Sequence, residues 1–200
     1  MRQALKGRPF ILCIDETGDR KKGHTTDYVA HQYIGNVGKL ENGIVSVNAY
    51  GILDQITFPL LLPELAVEII KELQQWGFHF SVVLADSLYG ESSDFVSELE
   101  KLHLKYVVAI RSNHGVWLPP GQRVRYTNWR PFARVFSNGK QQTRYIREIV
   151  FGQRGRIRYY HLTTDPHTLP PESTWYIMTN LEGKIQQTIG NTYGLRTWIE

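Results

Sequence analysis

Two short apolar runs stop abruptly at an aspartate, and this repeated design limits the fold more than any other feature of the chain. Phe10-Ile11-Leu12-Cys13-Ile14 runs into Asp15, and Phe80-Ser81-Val82-Val83-Leu84-Ala85 runs into Asp86. Nearly continuous apolar runs of this length read as strands covered on both faces, the central strands of an α/β sheet. In such sheets ligands collect at the carboxyl ends of the strands. If the two strands are neighbours, their backbones lie about 4.8 Å apart and the two carboxylates converge. Anions that close repel unless one takes a proton or a cation sits between them. A hard divalent ion such as Mg2+ suits oxygen ligands of this kind. Either Asp taken singly reads equally as a helix cap or turn former; the repetition is what favours a site.

The rest of the chain supplies the sheet and its cover. Asp15-Glu16-Thr17-Gly18-Asp19-Arg20-Lys21-Lys22-Gly23 reads as a polar loop. Residues 28–38 and 42–51 read as a strand pair with its turn near Leu40-Glu41-Asn42-Gly43, because Asn-Gly is a hairpin signal. Residues 56–60 form a short strand, limited by Pro59. A helix opening at Pro63 places Leu65, Ile69, Leu73 and Trp76 on one face and stops at Gly77. Ser92 or Ser93 caps a second helix carrying Phe95, Leu99 and Leu102, and 106–110 is another buried strand. Strands are expected at 143–151, 156–162 and 173–178, with turns at Asn138-Gly139, at Gly152 and Gly155, and around 166–171. The pattern of 191–200 is helical. Hairpin strands followed by βαβ units imply an α/β fold, a mixed sheet flanked by helices, with a β-rich insertion over about 111–180 before the last helix.

Charge is unevenly distributed. Residues 111–160 hold eleven Lys/Arg and a single acid, Glu148, whereas the other 150 residues hold twelve Lys/Arg and eighteen acids. A segment this basic, interleaved with aromatics, points to a polyanion, and nucleic acid is the expected partner. Arg123, Arg125 and Arg130 are the candidate backbone contacts. Trp117, Trp129, Phe132 and Phe136 are expected in the core. No run of about 18 apolar residues exists, so no membrane span is expected. The one cysteine, Cys13, lies inside the first strand and fits a reducing cytoplasm. One Cys with His114, His161 and His167 scattered does not make a zinc site.

The end of the chain adds a third motif. Tyr193, Arg196 and Glu200 fall at i, i+3 and i+7, so one helix places all three on a single face, with Leu195, Trp198 and Ile199 beside them. Arg offers a planar fork for a phosphate, and Glu another oxygen ligand. From spacing alone an ordinary amphipathic helix serves as well. Tyr193-Gly-Leu-Arg196-Thr-Trp-Ile-Glu200 nevertheless resembles the Tyr-x2-Arg-x3-Glu signature of one branch of bacterial insertion-sequence transposases of the DDE class. Asp15 in IDETGDRKKG and Asp86 in LADSLYG look like the first and second aspartates of that family's triad. His31-Gln32-Tyr33-Ile34-Gly35 resembles the strand after the first aspartate. The motifs stand in the family's order, 71 residues from Asp15 to Asp86 and 114 from Asp86 to Glu200, and the resemblance runs from about Phe10 to the end.

The resemblance implies an RNase H-like catalytic core over 9–200 that cuts and joins DNA strands. Asp15, Asp86 and Glu200 would be its catalytic carboxylates, holding two Mg2+ or Mn2+ ions. Arg196 and Tyr193 would contact DNA beside the cut. It further implies DNA ends and target DNA as partners, a homodimer when full length, and a cytoplasmic, nucleoid-associated setting. The signature's Lys beyond Glu200 is missing, as are the family's preceding DNA-recognition region and following helix. A partial or inactive copy is therefore expected. The alternative is a non-catalytic DNA-binding remnant of a transposase. The opening strand, Asp and Thr-Gly turn also resemble haloacid-dehalogenase-like phosphatases, but that family needs an Asp where Thr17 stands.

Overall fold

The computed structural model describes residues 5, 7–21, 29–34, 37–54, 56–60, 66–182 and 186–198. The expected loop after Ile14 is instead strand. β1 (Phe10–Arg20) continues to Arg20 because β3 (Lys39–Leu53) pairs with it antiparallel along its whole length, from Ile11↔Ile52 to Arg20↔Gly43. Backbone hydrogen bonds therefore hold residues whose side chains give no apolar signal. Thr17 adds side-chain ties, accepting from Asn48 at 3.0 Å.

β2 (Ala30–Ile34) pairs with the first part of β3, and the chain turns at Val37-Gly38 rather than at 40–43, with the Val37 and Gly38 amides both donating to the Ile34 carbonyl. Asn42-Gly43 sits inside β3. Gly43 is required there by packing: a Cβ would meet the Ile34 side chain at 2.3 Å. β4 (Ile56–Leu60) pairs with the last part of β3, as a strand carrying Pro59 should at an edge.

β5 (Phe80–Ala85) lies parallel to β1, and β6 (Tyr106–Ile110) parallel to β5. The core order β4-β3-β1-β5-β6, with β3 alone antiparallel to β1, is the RNase H-like arrangement expected from sequence. Helix α1 (Ala66–Gln75), the short α2 (Ser87–Gly90) and α3 (Ser93–Lys101) connect these strands. The expected start of α1 at Pro63 lies outside the described residues. Ser92 caps α3 by accepting from the Phe95 amide.

The basic segment does not form a separate lobe. β7 (Val124–Tyr126), β8 (Arg130–Val135), β9 (Gln141–Phe151), β10 (Arg158–Thr163) and β11 (Trp175–Thr179) extend the same sheet beyond β6, in the order β6-β11-β10-β9-β7, with β8 also on β9. β7 is only three residues long and exposed throughout, and β8 carries no alternating apolar pattern, so sequence missed them. Helix α4 (Gln186–Gly194) docks on β8: Asn191 accepts from the Val135 amide and donates to the Ala133 carbonyl, satisfying a strand edge.

The sheet has a core on each face. Phe10, Leu12 and Ile14 of β1 and Val83 and Ala85 of β5 pack beneath α1 and α3. Cys13 of β1 and Val82 and Leu84 of β5 pack on the α4 side with Phe132, Ile189 and Tyr193. Burying each such Leu, Ile or Phe contributes about 1.5–3 kcal/mol, so the central strands are the most firmly held part of the fold. No helix among the described residues is long and apolar enough to cross a membrane.

Candidate active site

The period-2 alternation of two neighbouring strands sets the site. Cys13 pairs with Leu84 across the parallel β1–β5 ladder, and both face α4. Two residues further along each strand the same face is reached again. Those residues are Asp15 and Asp86. The carboxylates converge because register and parity agree.

Asp86 does two jobs. It is the N-cap of α2, its Oδ1 accepting from the Leu88 amide at 2.9 Å. Its Oδ2 faces Arg196 Nη2 at 3.9 Å. One side chain thus makes both the cap and the approach to Arg196, and the cap reading of this Asp made from sequence holds. The other end of α2 is fixed by Gly90, where a Cβ would come within 1.8 Å of the Ala109 carbonyl oxygen on β6.

Arg196 reaches both aspartates. Its Nη2 donates to Asp15 Oδ1 at 2.6 Å, across 181 residues of sequence. Burial opposes its charge, but Tyr193, Asp15 and Asp86 outweigh burial and raise its pKa. A guanidinium held between two carboxylates shows that their geometry favours a cation there.

The segment bringing Arg196 to this point is not the continuous helix expected over 191–200. α4 ends at Gly194 and a 3-10 turn, Leu195–Trp198, follows. Residues at i and i+3 eclipse one another in a 3-10 turn, so Tyr193 and Arg196 still share a face. Thr197 tightens the turn by donating to the Gly194 carbonyl, and itself accepts from Arg134 at 2.6 Å. Glu200 and Ile199 lie outside the described residues.

Tyr193 is almost fully buried. Its phenol is pushed up to about 12, chiefly by burial, with Arg196 acting in the other direction. It therefore stays neutral and able to donate. Trp175 packs edge-on against it at 5.6 Å, and the Arg134 and Arg144 guanidinium groups stack over the same indole at 4.8 and 4.6 Å. Burial, then Arg134, pushes Arg144 down to about 10. A cleft of ≈ 500 Å³ opens beside these groups, lined among others by Asp86, Ser87, Ser112, Trp175, Tyr193 and Arg196.

A further carboxylate lies close by on the other face. Glu16 follows Asp15 on β1 and so points toward α2, where it accepts from the Tyr89 hydroxyl at 3.0 Å. Burial raises its pKa, the Tyr89 hydrogen bond lowers it, and Asp86 and Asp15 raise it further. Sequence reasoning passed over both residues, although each stands within three positions of a key Asp.

The arginines of 111–160 do not form one face beside the carboxylates. β7, with Arg125 and neighbouring Arg123, is the fifth strand beyond β5, roughly 24 Å away at the usual strand spacing. Arg123, Arg125 and Arg130 are exposed, and Arg125 also donates to the Gly152 carbonyl at 2.7 Å. Arg144 faces α4, whereas Arg147 faces the opposite side between the Tyr126 and Trp129 rings, 4.3 Å from each. Arg154 and Arg158 pair with the segment's lone acid, buried Glu148. Strand alternation divides a run of cations between two faces, and β-strands spread it across the sheet. Of the aromatics expected in the core, Phe132 is buried, but Trp117 is 92% exposed.

The sequence is similar to those of known proteins. Residues 61–140, which include Asp86, match the DDE superfamily endonucleases. A probable transposase for insertion sequence element IS701 from Microchaete diplosiphon is 52% identical over 217 residues, covering 99% of this chain and 57% of that protein. The chain is thus similar to a DDE transposase along almost its whole length. It spans a little over half the length of that curated relative. DDE endonucleases are nuclease-type enzymes that work on DNA with divalent metal ions, and two strand-end aspartates on one face suit such ions: hard oxygen ligands around a point that already attracts a cation. Among the described residues no cluster of three or more His, Cys, Asp or Glu could hold a metal ion.

Proposed function

We propose that this chain is the catalytic domain of an insertion-sequence transposase, cutting DNA strands and transferring them by metal-dependent phosphoryl transfer. The observation that carries the proposal is the convergence of Asp15 and Asp86 around the Arg196 guanidinium. In this reading Asp15 and Asp86, completed by Glu200, hold two Mg2+ or Mn2+ ions. Bound ions would activate a water or 3′-hydroxyl and offset charge on the leaving oxygen.

The chain's own groups bind and orient. Arg196 presents a planar fork, and a DNA phosphate is the natural replacement for the carboxylate it now holds. Tyr193, packed by Trp175 and accepting from Arg196, would offer its O–H to a DNA oxygen from a fixed position. Such pre-set donors are the main protein contribution to phosphoryl transfer. The exposed Arg123, Arg125 and Arg130 track the DNA backbone at a distance from the cut, in keeping with a basic sheet extension. Transposon ends, target DNA and dimer formation belong to the whole protein and are part of the proposal.

The test is cutting of a duplex bearing the element's end in Mg2+ or Mn2+, with Asp86→Asn as control. Metal-dependent nicks that vanish in the variant support the function; equal cutting by both overturns it.

A further inference from the structure

The two aspartates ride on different elements, Asp15 on β1 and Asp86 at the cap of α2. Shared metal ligation requires their spacing to be held to about 0.5 Å. On the α4 face Arg196 draws them together. On the opposite face one contact joins the same two elements directly: the Tyr89 hydroxyl donates to Glu16 Oε1. Glu16 is one residue from Asp15, and Tyr89 is three from Asp86. Tyr89 is itself anchored, its ring tilted against Phe95 of α3 at 5.0 Å, and its neighbour Gly90 lies flat on β6. β1 at this point has passed beyond its ladder with β5, whose pairs end at Cys13↔Leu84. The ladder sets the register of the two strands, but its last pair falls two residues short of each aspartate.

We infer that the Glu16–Tyr89 hydrogen bond is a strut that sets the Asp15–Asp86 separation, making Glu16 and Tyr89 positioning residues for the metal ions. This rests on the proposed function, since it presumes that the two aspartates bind metal. The strut works from the far side of the sheet, so neither residue needs to touch metal or DNA. Its role is geometric, and a glutamine at position 16 keeps it, because an amide oxygen still accepts from the phenol.

The test is Mn2+ binding to the DNA-free chain, read by electron paramagnetic resonance, with thermal unfolding measured alongside. Tyr89→Phe keeps every charge and loses the strut; its Mn2+ dissociation constant is expected to rise about tenfold at nearly unchanged Tm. Glu16→Gln and Glu16→Ala lose the same charge, but only the alanine loses the acceptor, so the alanine should bind about tenfold more weakly than the glutamine. Adding Tyr89→Phe to Glu16→Ala should cost nothing more, as expected for one shared hydrogen bond. Wild-type affinity in Tyr89→Phe, or equal affinities in the two Glu16 variants, overturns the strut. Asp86→Asn separates this from the underlying proposal. If it leaves Mn2+ binding intact, the aspartates are not the metal site; if it abolishes binding while Tyr89→Phe does not weaken it, the strut alone fails.

Discussion

Arg196 donates to Asp15 at 2.6 Å and stands 3.9 Å from Asp86, so a guanidinium lies between the two carboxylates proposed to hold metal. On the proposed function, a phosphate that draws Arg196 away would leave two uncompensated carboxylates and so link metal binding to DNA binding. Arg196→Gln should therefore bind Mn2+ about tenfold more tightly than wild type without DNA, while binding DNA more weakly. Titration of Mn2+ with and without a short duplex reads both effects; weaker metal binding in the variant would contradict the competition.

Asp86 offers a clean separation of fold from chemistry. Asparagine caps a helix as well as aspartate does, whereas alanine loses about 1 kcal/mol. Asp86→Asn should unfold within a degree or two of wild type yet fail to cut DNA. Asp86→Ala should fail equally and also melt lower. Equal melting of the two variants would show that the α2 cap contributes nothing.

Much of this site was legible because it follows from parity and burial. The apolar runs before Asp15 and Asp86 announced central strands, and the i, i+3 spacing of Tyr193 and Arg196 survives the change from α-helix to 3-10 turn. What stayed hidden depends on partners distant in sequence. The polar half of β1 is a strand because β3 pairs with it, and Asn42-Gly43 is not a turn because Ile34 needs the space above Gly43. Likewise eleven cations in fifty residues gave the sign of the surface but not its layout, which strand alternation and the buried Glu148 pairs decide.

That layout makes the salt dependence specific. Replacing Arg123, Arg125 and Arg130 together by Gln should lower the slope of log K against log salt by about 2–3, near 0.9 for each phosphate no longer neutralised. Arg144→Gln, buried against Trp175, should leave that slope unchanged and reduce stability instead. Filter binding across a salt series distinguishes them, and an unaltered slope in the triple variant would place DNA on another surface.

His161 carries a pH signature. Burial, then Arg147, pushes its pKa down to about 4, against an ordinary value of 6.5. The folded protein keeps it neutral while the unfolded chain takes up a proton below 6.5, so its share of stability is full above that pH and is lost as pH falls toward 4. His161→Phe should flatten the decline in Tm between pH 7 and pH 4.5. An equally steep decline in the variant would assign the effect to other groups.

The central claim, that Asp15 and Asp86 share a divalent ion, is tested most directly by counting tightly bound Mn2+ on the chain and on its Asp15→Asn and Asp86→Asn variants by electron paramagnetic resonance. The predicted result is bound Mn2+ in the wild type that is lost in both variants while the fold, followed by circular dichroism, is kept. Undiminished Mn2+ binding in either variant would contradict it.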